Sequence, residues 1–325
     1  MPKTIFAAAL AGVVALTGAA GAQPWPTRPV TMVVGFAAGG TTDLLGRIVA
    51  QHVGDSLGQQ IVVENVGGAG GVVGSLRVAQ ARPDGSQLLF GSLGTLVLNQ
   101  LLYKKPPYDT AADFAPVALV AEVPLVLLAR KDLPVNSLQE FIAYTRAKHA
   151  DMTFGSAGVG SAPHLGCLLV NMEIGADVTH VPFRGSGPAL QELIAGRIDY
   201  YCDALPSALP HIQAKNMKSI AILSRDRTPL LPELPTAREQ GLANFEAYTW
   251  FGFFLPRGTS EAIVRRLQSA TVEALKTPSV RDKLEKLGAT VASPDQMTPE
   301  HLGNLVRSEM QKWAAPIRAS GVSAD

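Results

Sequence analysis

The chain has 325 residues, of which 47% are hydrophobic, and its 28 Lys and Arg oppose 27 Asp and Glu for a formal net charge of +1. A balanced charge without a block of Lys or Arg argues against nucleic acid or an anionic membrane as the main partner. The length exceeds that of one average domain and favours two.

The first 22 residues, 1–22, predict a secretory signal peptide. Lys3 supplies a positive start, Ile5 to Leu16 supplies an apolar core, and Ala20-Gly21-Ala22 forms a cleavage site of small residues. The apolar core is short for a membrane span, so we expect cleavage before Gln23 and export of the mature chain. An uncleaved N-terminal anchor is the alternative.

Strand and helix patterns alternate along the rest of the chain. The predicted strands are Val30–Gly35, Gln60–Glu64, Gln87–Phe90, Pro116–Ala129, Met152–Gly155, Val178–Phe183, Ile198–Asp203 and Ser219–Ser224. The predicted helices between them are Asp43–Val53, Gly71–Ala81, Leu138–His149, Pro163–Met172, Pro188–Ala195 and Pro206–Ala214. This alternation indicates an α/β fold with parallel sheets, in which ligands bind beyond the carboxyl ends of the strands.

Two segments are predicted to cross between two lobes. The run from Phe114 to Arg130 is too long for an ordinary strand, and Tyr248 to Pro256 is an aromatic strand that ends in a turn. If the chain crosses twice, its middle forms one lobe and both of its ends form the other. The C-terminal part then adds an outer cover of amphipathic helices at Glu261–Lys276, Ser279–Leu287 and Pro299–Trp313.

The first strand ends in a glycine-rich turn, Gly35-Phe36-Ala37-Ala38-Gly39-Gly40-Thr41-Thr42-Asp43, and a helix begins at once. Such a turn leaves unpaired backbone N–H groups at a helix N-terminus, where partial positive charge favours an anion. Four later strand ends, at 91–95, 155–164, 184–188 and 203–207, also combine small residues and hydroxyls with a helix start. Any one of these loops is equally an ordinary connection, but their repetition predicts a cage of donors around a small carboxylate.

Eleven candidate ligand-binding residues lie in these loops. They are Phe36, Gly39, Gly40, Thr41, Ser92 and Thr95 from the first lobe, and Ser156, Ser161, His164, Arg184 and Asp203 from the middle lobe. Asp43 is predicted to structure its own loop by accepting backbone N–H bonds, because an acid beside an anion site is electrostatically unfavourable.

Three of these candidates have equally simple structural interpretations. His164 fits a packing histidine as well as a donor to the carboxylate. Arg184 fits a solvated surface cation as well as a partner for a second carboxylate. Asp203 fits an acid that orients nearby donors as well as one that selects an amine or hydroxyl of the ligand.

Metal and nucleotide motifs are absent from the sequence. The chain has no H-E-x-x-H and no P-loop, and we expect no catalytic residue, no metal and no cofactor. A periplasmic serine hydrolase that uses Ser156 or Ser161 with His164 is a remote alternative. Of the two cysteines, Cys167 falls in a predicted helix and Cys202 in a predicted strand, and we favour two buried free thiols over a disulfide.

Short motifs in a fixed order carry a resemblance to a known family. They are Trp25-Pro26-Thr27-Arg28-Pro29-Val30, Gly39-Gly40-Thr41-Thr42-Asp43 with Arg47, Val63-Glu64-Asn65, Gly68-Ala69-Gly70-Gly71, Ala81-Arg82-Pro83-Asp84-Gly85, Gly158-Val159-Gly160-Ser161 with His164-Leu165, His180-Val181-Pro182-Phe183-Arg184-Gly185 and Leu234-Pro235-Thr236. In order and spacing the chain resembles the Bug-type solute-binding proteins of the tripartite tricarboxylate transporters.

The resemblance implies a periplasmic, two-lobe, type II binding-protein fold with a hinged ligand cleft between the lobes. With the crossings placed above, lobe 1 comprises 23–121 and 252–325, and lobe 2 comprises 122–251. The resemblance further implies a monomer that holds a small carboxylate with these loops and delivers it to a membrane permease of a large and a small subunit. A ligand sensor of the same fold that feeds a signalling receptor is the alternative.

Overall fold

The computed structural model describes residues 25–324, and the expected signal peptide, 1–22, lies outside them. Within that range the strands are β1 (Val30–Val34), β2 (Ile61–Asn65), β3 (Gln87–Ser92), β4 (Phe114–Arg130), β5 (Thr153–Ser156), β6 (Thr179–Pro182), β7 (Tyr200–Ala204), β8 (Met217–Ile222), β9 (Tyr248–Pro256) and β10 (Thr290–Val291). The α-helices are α1 (Thr41–Leu57), α2 (Val72–Ala79), α3 (Asn99–Leu102), α4 (Thr110–Asp113), α5 (Leu138–Lys148), α6 (Ala162–Ile174), α7 (Ser186–Ile194), α8 (Leu205–Gln213), α9 (Glu261–Lys276), α10 (Pro278–Glu285) and α11 (Pro299–Ser320).

Strand β4 belongs to two sheets. Its first part, Phe114–Pro124, pairs with β9, and its last part, from Leu125 to Arg130, pairs with β7 and β8. The order of strands is β2-β1-β3-β9-β4-β7-β5-β6, with β8 and β10 also on β4. Most side chains of β4 are buried, which explains the long apolar run that the sequence shows there. The first crossing segment is therefore one continuous strand.

The strand directions make the carboxyl ends of the two sheets face each other. Strands β1, β2 and β3 are mutually parallel. Strand β9 is antiparallel to both β3 and β4, so β1, β2 and β3 run in the same direction as β4. Strands β5, β6 and β7 are mutually parallel and run opposite to β4. Because β4 passes from the first sheet into the second, the loops after β1, β3, β5, β6 and β7 all meet at the junction.

The C-terminal helices cover the first sheet. Helix α9 packs on α1, and α11 packs on β4. Helix α11 continues to Ser320, beyond the predicted end at Trp313, because the side chain of Ile317 is buried in the core and the interior Pro316 is tolerated. Within the described residues, no helix is both long enough and apolar enough to cross a membrane.

Cys167 and Cys202 form a disulfide, so the preference for two free thiols is wrong. Helix α6 carries Cys167 across strand β7, which carries Cys202, and the two Cα atoms lie 5.3 Å apart. Gly166 permits this approach, since a Cβ atom there would lie only 3.2 Å from the Cβ of Cys202 and 2.8 Å from Leu125 Cδ1. The sequence could not show this contact because it depends on which strand lies beneath α6.

Removal of this disulfide should destabilise the fold. The bond joins residues 35 apart in the sequence, and a loop of that length corresponds to about 3–4 kcal/mol of unfolded-state chain entropy. We expect the Cys167→Ala/Cys202→Ala variant to lose about that much free energy of unfolding in urea titrations. Wild-type protein kept in a reductant should behave like the variant, and equal stability of the oxidised and reduced forms would contradict the expectation.

Candidate functional site

A small cavity lies at the junction of the two sheets. Its volume is about 30 Å³, which is room for a water molecule or one carboxylate group rather than a whole organic acid. Residues from both sheets line it: Phe36, Gly40, Thr41, Thr42, Ser92, Ala157, Ala162, Pro163, Ser186, Ala204, Thr249 and Phe251. We call this space the junction cavity.

Four helices begin at the junction cavity. The N-cap residues of α1, α6, α7 and α8 are Gly40, Ser161, Gly185 and Ala204. Each helix N-terminus carries a partial positive charge and backbone N–H groups without partners inside the helix. Among the described residues that line the cavity, none carries a charged side chain. The arrangement therefore favours an anion through helix ends alone.

Hydrogen bonds at the cavity join the loop after β1 and the start of α1 to the loops after β6 and β7. Thr41 Oγ1, at the start of α1, lies 2.8 Å from Ser207 Oγ in α8, and the Ser207 N–H donates to Thr41 Oγ1 at 3.2 Å. The Ala37 N–H donates to the Arg184 carbonyl oxygen at 2.9 Å. A ligand larger than a carboxylate group therefore fits at this place only when these contacts open.

Asp203 lies at the end of β7, next to the cavity-lining residue Ala204. Its side chain is fully buried and accepts hydrogen bonds from Ser186 Oγ at 2.7 Å and from Ser207 Oγ at 2.6 Å. Burial raises the pKa of this carboxyl to about 6, while the two serine hydroxyls act in the opposite direction. Asp203 therefore orients two hydroxyl groups at the starts of α7 and α8 and does not itself line the cavity.

Asp43 holds the loop after β1 in shape. Its carboxylate accepts the Gly39 N–H at 3.0 Å and the Arg47 Nε–H at 2.9 Å. Burial alone would raise the pKa of Asp43, but the hydrogen bonds from Arg47 and Gly39 outweigh it and lower the pKa below the usual value. The Asn65 amide also donates to the Phe36 carbonyl, so the backbone that approaches the cavity is fixed on two sides.

Four of the eleven predicted ligand residues line the junction cavity, namely Phe36, Gly40, Thr41 and Ser92. Seven lie behind or beside it: Gly39, Thr95, Ser156, Ser161, His164, Arg184 and Asp203. Thr95 Oγ1 accepts the Ser92 N–H at 2.8 Å, and Ser161 caps α6 by accepting the His164 N–H. The side chain of Arg184 is exposed. These residues shape the loops whose neighbours reach the cavity.

The remaining lining residues were not singled out from the sequence. Thr42, Ala157, Ala162, Pro163, Ser186 and Ala204 lie inside the predicted loops, one or two positions from a predicted ligand residue. Thr249 and Phe251 lie on β9, in the second crossing segment. A period of two along that strand places these two side chains on one face and could have identified them together.

Ser156 and His164 do not face each other. Ser156 Oγ lies 2.6 Å from Nε2 of His180, and the rings of His164 and His180 lie 4.4 Å apart. Both imidazoles line a separate surface groove of about 640 Å³ beside the C-terminal residues Ser320 and Val322. Burial lowers the pKa of His164 to about 3, with a further contribution from neighbouring His180, and burial lowers the pKa of His180 to about 4.

The hydrolase arrangement of a serine with His164 is not formed in this structure. Ser161 Oγ donates to the Gly158 carbonyl oxygen at 2.7 Å, which uses its proton inside the loop. Ser156 Oγ accepts the Gly158 N–H at 3.0 Å in the same loop. Within residues 25–324, no cluster of three or more His, Cys, Asp and Glu side chains could hold a metal ion.

The fold and the junction cavity define the class of periplasmic binding proteins. The structure of the periplasmic binding protein BugD is similar over 92% of this chain and 99% of that chain, with a TM-score of 0.89 and 35% identity. MatC (Rpa3494) from Rhodopseudomonas palustris, with bound malate, gives a TM-score of 0.88 and 43% identity over 90% of this chain and 99% of that chain. Rpa4515 from R. palustris, with adipate, gives a TM-score of 0.88 and 34% identity over 92% of this chain and 99% of that chain.

Residues 45–322 match the family described as the tripartite tricarboxylate transporter family receptor. The chain belongs to this family. The resemblance that the short sequence motifs indicated is thereby confirmed, together with the two-lobe binding-protein fold that it implied.

The hydrogen bond between Thr41 and Ser207 should stabilise the closed cleft. A double-mutant cycle of Thr41→Val and Ser207→Ala should give a coupling of about 1 kcal/mol in the free energy of unfolding. The control cycle pairs Thr41→Val with Ser186→Ala, which also removes a donor to Asp203 but has no hydrogen bond to Thr41, so its coupling should be smaller. Additive effects in both cycles would show that the contact does not form in solution.

Asp203 should make the protein less stable as the pH rises. Its pKa is about 6 in the folded chain and about 3.9 in an unfolded chain. Folding therefore takes up a proton when the pH lies between these two pKa values. The stabilisation is complete below about pH 4 and is lost as the pH rises through about 6. In urea unfolding, Asp203→Asn should gain about 2–3 kcal/mol relative to wild type between pH 4 and pH 7. Parallel pH profiles of the two proteins would contradict this.

Proposed function

We propose that this protein is a periplasmic solute-binding protein that captures a small carboxylate at the junction cavity and delivers it to a membrane permease of a large and a small subunit. The observation that carries the proposal is the convergence of four helix N-termini on one neutral cavity. The proposal includes a monomer that uses no cofactor and performs no chemistry on its ligand.

A carboxylate is the anion that this geometry suits best. Each helix N-terminus contributes an effective charge of about +0.5 together with free N–H donors. Ionised carboxylate oxygens are acceptors only, so they match donors that come from the backbone and from hydroxyl groups. Asp203 is an acid next to an anion site, but its bonds to Ser186 and Ser207 keep it behind the lining.

The relatives support an organic acid as the ligand. MatC was solved with malate and Rpa4515 with adipate, and each shares a third or more of its residues with this chain. Both of these ligands are dicarboxylates. The family description, a receptor of a tripartite transporter, supports a membrane permease as the partner.

Ligand capture would couple to closure of two lobes. We place lobe 1 at 23–121 and 252–325 and lobe 2 at 122–251, so that β4 and β9 are the crossing segments. The helix starts of α1 and of α6, α7 and α8 then belong to different lobes. A ligand that contacts both sets favours the closed state by its differential affinity.

A panel of carboxylates should reveal the ligand by thermal shift. The mature chain is unfolded and refolded to remove bound ligand, and is then tested with malate, succinate, adipate, citrate, acidic amino acids, nicotinate and benzene dicarboxylates. An acid at 100 times its Kd should add about 2.7 kcal/mol of stability. No stabilisation by any acid of the panel would contradict the proposal.

Two variants locate the binding site. Ala157→Asp puts a carboxylate into the junction cavity and should abolish the shift by repulsion, because Ala157 lines that cavity. Thr179→Asp is the matched control, because Thr179 is an exposed residue of the separate groove beside His164 and His180. Loss of binding in Thr179→Asp but not in Ala157→Asp would move the site to that groove.

A further inference from the structure

The hydroxyl group of Thr249 has no hydrogen-bond partner within the described residues. The side chain of Thr249 is 3% exposed, and its Oγ1 atom is buried without a donor or acceptor in reach. The same side chain lines the junction cavity together with Phe251, two positions further along β9. A buried hydroxyl without a partner costs about 1–3 kcal/mol, so a partner in the ligand-bound state is expected.

A second hydroxyl that lines the cavity, that of Ser92, makes only long hydrogen-bond contacts. Ser92 pairs with Phe251 across β3 and β9, so its side chain lies next to the face that carries Thr249. Ser92 Oγ has contacts of 3.5 Å to Thr95 Oγ1 and to the Thr95 N–H. These distances exceed the usual length of such bonds. The lining therefore offers two hydroxyls on strands, in addition to the helix ends that favour the anion.

We propose that Thr249 recognises a hydroxyl group on the ligand, and that the preferred substrates are hydroxycarboxylates. The inference rests on the proposed function, because the helix N-termini must hold the carboxylate. A threonine hydroxyl both donates and accepts, which matches an alcohol. Among the described lining residues none is charged, and Thr249 lies on a strand rather than at a helix start, so a neutral hydroxyl suits its environment better than a second carboxylate. Because Thr249 and the starts of α1 and α8 line the same small cavity, a hydroxyl close to the carboxylate along the acid fits this arrangement.

Calorimetry with matched pairs of acids tests this inference. Each pair differs by one hydroxyl group: malate and succinate, citrate and tricarballylate, lactate and propionate. Wild type should bind the hydroxy acid of at least one pair about tenfold more tightly or better. Thr249→Val should abolish this preference, and Thr249→Ser should retain it.

Thr145→Val is the matched control. The Thr145 hydroxyl is also buried without a partner, but it lies on α5 and does not line the cavity, so this variant should keep the wild-type preference. Without ligand, Thr249→Val should melt no lower than wild type, because the hydroxyl makes no bond to lose. Thr249→Ala removes the same hydroxyl and gives the same test if the valine variant does not fold.

The outcomes separate this inference from the proposed function. Wild type that binds no acid in the panel contradicts the proposed function. Wild type that binds acids without preferring the hydroxy member of a pair, or a preference that survives in Thr249→Val, overturns the role of Thr249 and leaves carboxylate capture standing. An equal loss of both members of a pair in Thr249→Val also overturns it, since Thr249 would then contact the carboxylate.

Discussion

The shared strand β4 is the constraint on which the rest of the structure depends. Because it runs from one sheet into the other, it fixes the directions of the strands on both sides. Strands β1, β2 and β3 run towards the junction with β4, and strands β5, β6 and β7 run towards it from the far side. The strand ends, and with them the helix starts, are thereby brought to a single place. Because β4 is mostly buried along its whole length in both sheets, the segment has to be mainly apolar along that length.

This geometry offers a site for an anion without a cation, as the proposed function requires. Four helix starts supply positive potential and donors from the backbone, while hydroxyl groups fill the gaps between them. The cost is a chain of buried polar groups that must all be satisfied. Asp203 meets this requirement for Ser186 and Ser207, and Tyr201 adds its hydroxyl 2.9 Å from Ser186 Oγ. Recognition of the carboxylate therefore depends on residues that need not touch it.

Many predicted residues lie one layer behind the cavity for a common reason. Ser161 and Asp43 both have side chains that accept backbone N–H groups, which is the ordinary role of such residues in tight loops. The atoms that face the ligand space belong to their neighbours, such as Ala162 and Thr42. The presence of polar residues therefore predicts which loops line the cavity but does not predict which residue of each loop reaches it.

The sequence by itself determined the α/β alternation and the glycine-rich loops, because periodicity and turn chemistry are local properties of the chain. It also determined the family, through motifs in a fixed order. Only the tertiary structure decided that Cys167 meets Cys202, that Ser156 faces His180, and that Thr249 shares a cavity with the start of α1. These contacts depend on strand order and direction, which bring together residues 24 to more than 200 positions apart. No local pattern encodes such distances, since they follow from how β4 joins the two sheets.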